Sequence, residues 1–283
     1  MSRTVSVLTH TRPQQVADAL QKLIGAARAA GATLRFDEDE THKNELQPGE
    51  GVLLDAPLSD DVDICVVLGG DGTILRALRR YAGTSVPVFA VNFGQIGFLA
   101  TIDPKECEEG FARALTGAFE VLTLPALALQ VPDGDFAAIN DLSIHRKLGG
   151  RVAQLAYELE GEEVGSVRCD GVVVATPAGS TGYNLANGGP VLAWGVEGYV
   201  VSFIAPHSLT ARALVVAPED LLTINNASRQ EPVEVHVDGR PACELRAGED
   251  IHVEFGRDFG VLAQLPGASF YHRLRERFGR LAR

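Results

Sequence analysis

The chain has 283 residues, of which 46% are hydrophobic and 22% charged, and a net charge of −12. This is ordinary globular composition at a length for one large or two modest domains. The acidic balance argues against a dominant nucleic-acid footprint, which is normally basic, and leaves any anionic ligand to local donors, arginines or a metal ion.

Residues 4–9 alternate apolar and polar, which predicts a strand. Pro13 opens a helical pattern to about Ala30, with Val16, Leu20, Leu23, Ile24 and Ala27 on one face, and Gly31 closes it. Leu34-Arg35-Phe36 fits a short strand, and the acidic stretch 37–61 is expected to be a mobile, solvated loop. The apolar run 64–68 predicts a buried strand, 74–82 a helix, 86–91 a second buried strand, and Pro104 to about Leu115 a further helix. Strands alternating with helices suggest parallel βαβ units.

The pattern changes near residue 119. Runs at 119–131, 137–145, 152–159, 171–175, 199–204, 213–216, 233–237, 251–255 and 260–265 are short and rich in Val, Ile, Leu and Thr. Turns such as Pro132-Asp133-Gly134 and Asp238-Gly239 separate them, an all-β pattern that fits a sandwich. The tail from Phe270 to Phe278 is basic and helix-like. No run reaches the ~18 apolar residues of a membrane span, and the N-terminus lacks a signal peptide's apolar stretch. A cytoplasmic protein is expected. Cys65, Cys107, Cys169 and Cys243 form no C-x-x-C pair, and the seven histidines show no ligand spacing. The only lysines are Lys22, Lys43, Lys105 and Lys147; none follows a glycine, which excludes a G-K-[ST] phosphate loop.

Two Gly-rich segments carry the chemistry. Gly69-Gly70-Asp71-Gly72-Thr73 ends a strand and opens a helix, a place where backbone can approach phosphate and free N–H groups are offered. Asp71 there reads either as a reactive carboxylate or as a helix cap. Asp170-Gly171 opens the second segment, which runs through Thr176-Pro177-Ala178-Gly179-Ser180-Thr181-Gly182-Tyr183-Asn184. It offers small residues, hydroxyls and one aromatic ring; its plainer reading is a capped short helix.

The first loop resembles diacylglycerol and sphingosine kinases, and phosphofructokinases have a related one. Both segments together, in this order, resemble the NAD kinase family, which phosphorylates the adenosine ribose 2′-hydroxyl of NAD. Asn92-Phe93-Gly94-Gln95-Ile96-Gly97-Phe98-Leu99, Asn140-Asp141, Pro206-His207-Ser208-Leu209 and Asp238-Gly239 resemble further family segments. Gly182 stands where the family often has Ala, Arg240 where Gln or Asn is commoner, and Cys169 where a small or polar residue is usual.

The resemblance implies an N-terminal Rossmann-like α/β domain (1–122, with 266–283 packing back on it) and a C-terminal β-sandwich domain (123–265). It implies Asp71 as general base, with Gly69, Gly70, Gly72 and Thr73 at the phosphate end and Arg76 facing the dinucleotide. It places Asn140 and Asp141 against adenine or ribose, and Thr181, Gly182, Tyr183, Asn184, Leu185 and Ala186 at the adenine end. Asp170 would meet the nicotinamide end, approached by Arg151 and Arg168, with Ala205 a further contact. NAD and ATP or polyphosphate are the implied substrates, with Mg²⁺ entering on ATP, and a homodimer or homotetramer is expected. A lipid or sugar kinase and a non-catalytic NADP-binding sensor are the alternatives; the first predicts an apolar acceptor pocket, against which the Asp170–Asn184 segment argues, and the second would need Asp71 to be missing or unable to reach a hydroxyl, whereas Asp71 is present.

Overall fold

The computed structural model describes residues 3–95, 97–131 and 134–279. Ile96 of the Asn92–Leu99 segment and Pro132-Asp133 of the expected turn lie outside the described residues. The chain forms two compact units, Met1–Thr123 with Gly260–Arg283, and Leu124–Phe259.

In chain order the first unit contains β1 (Thr4–Thr9), α1 (Ala17–Ala30), β2 (Thr33–Arg35), α2 (Glu38–Lys43), β3 (Val52–Leu53), β4 (Ile64–Gly69), α3 (Asp71–Arg80), β5 (Val88–Asn92) and α4 (Cys107–Thr116). Strands β3-β2-β1-β4-β5 lie side by side, all parallel. Val5 and Val7 of β1 and Ile64, Val66 and Leu68 of β4 share a core with Leu20 and Leu23 of α1 and Phe111 of α4. Gly31 ends α1 at φ 65°, with its N–H on the Ala27 and Arg28 carbonyls, as the sequence suggested.

The stretch 37–61 departs from expectation: it is not a loop throughout. Asp37 caps α2 by accepting the Glu40 N–H at 2.8 Å, and Glu40 turns inward to become 2% exposed. Four charged residues in six disguised the helix, because the one that is buried, Glu40, finds Thr9 and Arg76 among its partners, far away in sequence.

The second unit is built from β6 (Glu120–Val131, its first residues in the first unit), β7 (Gly134–Ala138), β8 (Asp141–Arg146), β9 (Ala153–Leu159), β10 (Glu162–Cys169) and β11 (Gly171–Ala175). There follow α5 (Tyr183–Ala186), β12 (Tyr199–Ile204), β13 (Leu214–Val216), β14 (Leu222–Asn226), β15 (Val233–Val237), β16 (Arg240–Leu245) and β17 (Asp250–Gln264). One sheet runs β13-β12-β11-β8-β15-β16; facing it, β10, β9, β14 and the start of β17 pair antiparallel. Leu142, Ile144, Val172 and Val174 from the first face meet Leu155, Ile224 and Val253 from the second in one core, a sandwich.

Three strands of this unit were missed by the apolar pattern. β10 is an exposed hairpin arm, β14 ends in Asn225-Asn226, and β16 carries Pro241. Asn226 is fully buried, its Nδ2 donating to the Glu231 and Leu245 carbonyls at 2.9 and 3.0 Å, so a turn-type residue here fastens a strand. The run 137–145 is broken at Asn140, and the two runs after 250 are a single strand, β17. Leu262 of β17 pairs parallel with Val88 of β5, and the last element among the described residues, α6 (Phe270–Phe278), lies within the first unit as expected. Among the described residues no helix is long and apolar enough to cross a membrane.

Candidate functional site

In the first unit the chain winds from β1 outward to β3, then restarts on the other side of β1 with β4. The reversal lies between β1 and β4, and in open α/β sheets ligands bind beyond the carboxyl ends of strands at such a point. Those ends here are Thr9 and Gly69-Gly70.

Gly70 is the N-cap of α3, and no side chain caps the helix. Asp71, expected either as a cap or as a reactive group, is the first helical residue, and its Oδ1 accepts the Leu99 N–H at 3.2 Å. The capping role is therefore not the one the structure gives it. The loop after β5 comes close: a Cβ on Gly94 would stand 2.8 Å from the Gly70 Cα, which requires glycine there, and a Cβ on Gly70 would be tight at 3.0 Å from the Gly94 Cα. The Asn92 side chain shapes that loop by accepting the Gly94 N–H at 2.9 Å.

Arg76 was expected to face a dinucleotide. Its Nη2 donates to Glu40 Oε1 at 3.0 Å and to the Thr9 carbonyl at 3.3 Å. Glu40 also takes Lys43 Nζ at 2.7 Å, the Thr9 hydroxyl at 2.6 Å and the Thr9 N–H at 3.0 Å. A buried carboxylate thus joins the end of β1, α2 and α3, each donor supporting its charge. Sequence reasoning missed it, since residues 9, 40, 43 and 76 carry no shared motif.

The second unit gathers Asn140, Asp141, Thr181, Gly182 and Tyr183. Asn140 and Asp141 sit at the β7–β8 break, where the Asp238 carboxylate accepts the N–H groups of Ile139, Asn140 and Asp141 at 3.3, 2.7 and 3.3 Å. Thr176 N–H bonds the Asn140 carbonyl at 2.9 Å, and a Cβ on Gly179 would overlap that same carbonyl. Among the described residues the buried Asn140 Oδ1 meets no hydrogen-bond partner, an acceptor held ready.

Asp141 is 8% exposed. Burial, and secondly the Asp238 charge, push its carboxyl up to about 7. Tyr183, 37% exposed, stacks on His145 at 5.6 Å and 16°, and His236 leans on His145 at 5.3 Å. Burial and His236 lower the His145 pKa. The two histidines were set aside in the sequence for lack of spacing. The alternation Asp141, Ser143, His145 against core Leu142 and Ile144 would have shown one polar face of β8.

The other candidates lie elsewhere. Asn184 is fully buried and donates to the Ser180 and Pro190 carbonyls, both at 2.9 Å, so its amide supports the loop from within. Leu185 and Ala186 complete α5 beside it. Asp170 pairs with Arg146 Nε at 2.5 Å, at the far end of β8 from Asp141. Five residue steps along the strand separate the two ends, about 17 Å. Arg151 is 87% exposed, 3.7 Å from Glu231; Arg168 is exposed on β10, and Ala205 is exposed at φ 43°. Among the described residues no group of three or more His, Cys, Asp or Glu side chains is placed to hold a metal ion.

Comparison with known proteins bears on both units. Residues 11–119 match the ATP-NAD kinase N-terminal domain, and residues 139–262 match the ATP-NAD kinase C-terminal domain. The chain is 33% identical to the NAD kinase of Gemmatimonas aurantiaca, over 97% of this chain and 95% of that protein. It is 34% identical to that of Lachnoclostridium phytofermentans, over 92% and 93%. Among solved structures, an NAD kinase from Archaeoglobus fulgidus in complex with ATP matches at TM-score 0.69 and 25% identity, covering 99% of this chain and 98% of that one. Yeast NADH kinase complexed with NADH shares the fold at TM-score 0.87 and 23% identity, covering 100% and 89%.

Proposed function

The chain belongs to the ATP-NAD kinase family, phosphotransferases acting on NAD, and from that premise we propose that Asp71 is the general base of the transfer. The Asp71 carboxylate takes the proton of the adenosine ribose 2′-hydroxyl as that oxygen attacks the γ-phosphorus of ATP. The new O–P bond forms as the bond to the leaving ADP breaks, giving NADP. Mg²⁺ enters with ATP as part of the substrate and neutralises charge on the transferred group.

The observation that carries this reading is the setting of Asp71. It stands at the carboxyl end of β4 beside the strand-order reversal, is relieved of capping by Gly70, and is held by one backbone N–H. Among the described residues no ion pair engages it, which leaves a carboxylate able to accept a proton. Gly69, Gly70, Gly72 and Thr73 keep the backbone there bare enough for phosphate.

In the second unit, Asn140, Asp141, Thr181, Gly182 and Tyr183 receive the adenine end, Tyr183 by its ring and Asn140 by its unpartnered Oδ1. Asp170 serves the nicotinamide end, and the separation along β8 suits an extended dinucleotide. The exposed Arg151, Arg168 and Ala205 border that end. Arg76 acts through its network with Glu40.

Asp71→Asn tests the assignment. A positioned base is worth ~10²–10⁴-fold, so kcat falls by that range while calorimetry still shows NAD binding. Because Gly70, not Asp71, caps α3, the melting temperature stays close to that of the unsubstituted chain. Near-normal turnover in the folded variant removes Asp71 from the chemistry.

A further inference from the structure

One side chain of the C-terminal helix reaches the peptide that holds Asp71. Arg273 of α6 is half-buried against residues 98–101. Its Nη1 donates to the Phe98 carbonyl at 3.4 Å and to the Ala100 carbonyl; its Nη2 donates to the Thr101 carbonyl at 3.4 Å and to Gln264 Oε1. These carbonyls flank Leu99 on both sides. The Phe98 carbonyl and the Leu99 N–H belong to one planar peptide unit, and the described residues contain no cis peptide. In a trans unit the two groups point opposite ways. The guanidinium therefore grips one end of the peptide whose other end donates to Asp71 Oδ1 at 3.2 Å.

Other contacts within the same unit hold α6 in this place. Phe98 meets Phe270 edge-on at 5.5 Å and lies 6.0 Å from Phe278. Arg277 pairs with Asp103 at 2.8 Å. Burial lowers Arg273 to about 10, so it stays charged at neutral pH, with Arg277, Asp103, Glu276 and Asp71 the charges around it. A cation on the carbonyl side polarises the peptide and strengthens its N–H as a donor.

We propose that Arg273 is a positioning residue for phosphoryl transfer, orienting the Asp71 carboxylate through the Phe98–Leu99 peptide. The inference rests on Asp71 being the base. It assigns α6 a part in turnover, besides its packing, and none in holding NAD.

The test is a cycle of Arg273→Met, Asp71→Asn and the double variant in the full chain, assayed with NAD and MgATP, with melting temperatures alongside. Losing a hydrogen bond to a charged group lowers kcat by roughly ten- to a hundredfold, with the KM for NAD unchanged. Arg273→Lys, which keeps the charge but not the fork, falls between the Met variant and the unsubstituted chain. In the Asp71→Asn background, Arg273→Met costs little more, since its route to the chemistry is already cut.

Unchanged kcat in a folded Arg273→Met variant overturns the proposal, and so do equal fractional losses in the two backgrounds. Should Arg273→Met fail to fold, Arg273→Lys is read the same way: kcat equal to the unsubstituted chain overturns it, and a loss that vanishes beside Asp71→Asn supports it. If Asp71→Asn itself turns over normally, the base assignment has failed rather than the clamp.

Discussion

Asp141→Asn should stabilise the folded chain, and more so as pH rises. The carboxyl is 8% exposed, faces the Asp238 charge, and is raised from an ordinary 3.8 to about 7. The folded state thus keeps a proton that the unfolded chain releases from about pH 4 upward. Stability accordingly declines from that pH until the folded carboxyl also ionises near 7, and is level above it. Each unit of separation is worth 1.36 kcal/mol, so the rise of about three units corresponds to ~4 kcal/mol above pH 7. The leg from pH 5 to pH 7 covers about two of those units, ~3 kcal/mol. Asn has the size of the neutral form and no charge at any pH. The gain of Asp141→Asn over the unsubstituted chain should therefore grow by about 2–3 kcal/mol between pH 5 and pH 8. Denaturant titrations of both proteins at those two pH values give the difference directly, and common titrations cancel in it. A gain that is equal at both pH values, or a variant less stable at pH 8, refutes the buried, proton-holding carboxyl.

Glu40→Gln removes the charge on which Lys43 and Arg76 converge and weakens the tie to Thr9. Breaking a buried pair costs about 3–5 kcal/mol; with Arg76 40% exposed, about 2–4 kcal/mol of unfolding free energy is expected. A loss below 0.5 kcal/mol, within the usual range for an exposed surface change, would return residues 37–43 to a solvated loop. Asp170→Asn weakens a half-exposed pair with Arg146, so stability changes by less than about 1 kcal/mol. The KM for NAD should rise while kcat holds, the pattern of lost uniform binding; a collapsed kcat with unchanged KM contradicts the proposed binding role.

Much of this protein is local and was legible as such. The apolar runs of β4 and β5, the period of α1 with Gly31 at its end, and the glycines around Asp71 announce themselves, because periodicity, the positive φ of Gly31 and the bare backbone that glycine gives are properties of a few neighbouring residues. The Gly69–Thr73 and Asp170–Asn184 segments were enough to indicate the family. The strands that went unseen were those whose burial comes from partners: β10 and β16 as polar arms, β14 through the buried amide of Asn226.

What the tertiary structure decided is how side chains far apart in sequence share charge and protons. Glu40 was one acid in an acidic stretch until β1 and α3 brought Thr9 and Arg76 to it. Asp238 reaches back about a hundred residues to hold the Asn140-Asp141 turn, and burial there, with the Asp238 charge second, raises the proton affinity of Asp141. His145, Tyr183 and His236 stack because β8, β15 and the loop after β11 meet in register. Arg273 finds Phe98 and Ala100 only because α6 folds back onto the unit that the chain began. Local rules choose helix, strand and turn. Which buried polar groups are satisfied, and by whom, is set by packing, since desolvation and hydrogen bonding act across space without regard to sequence distance.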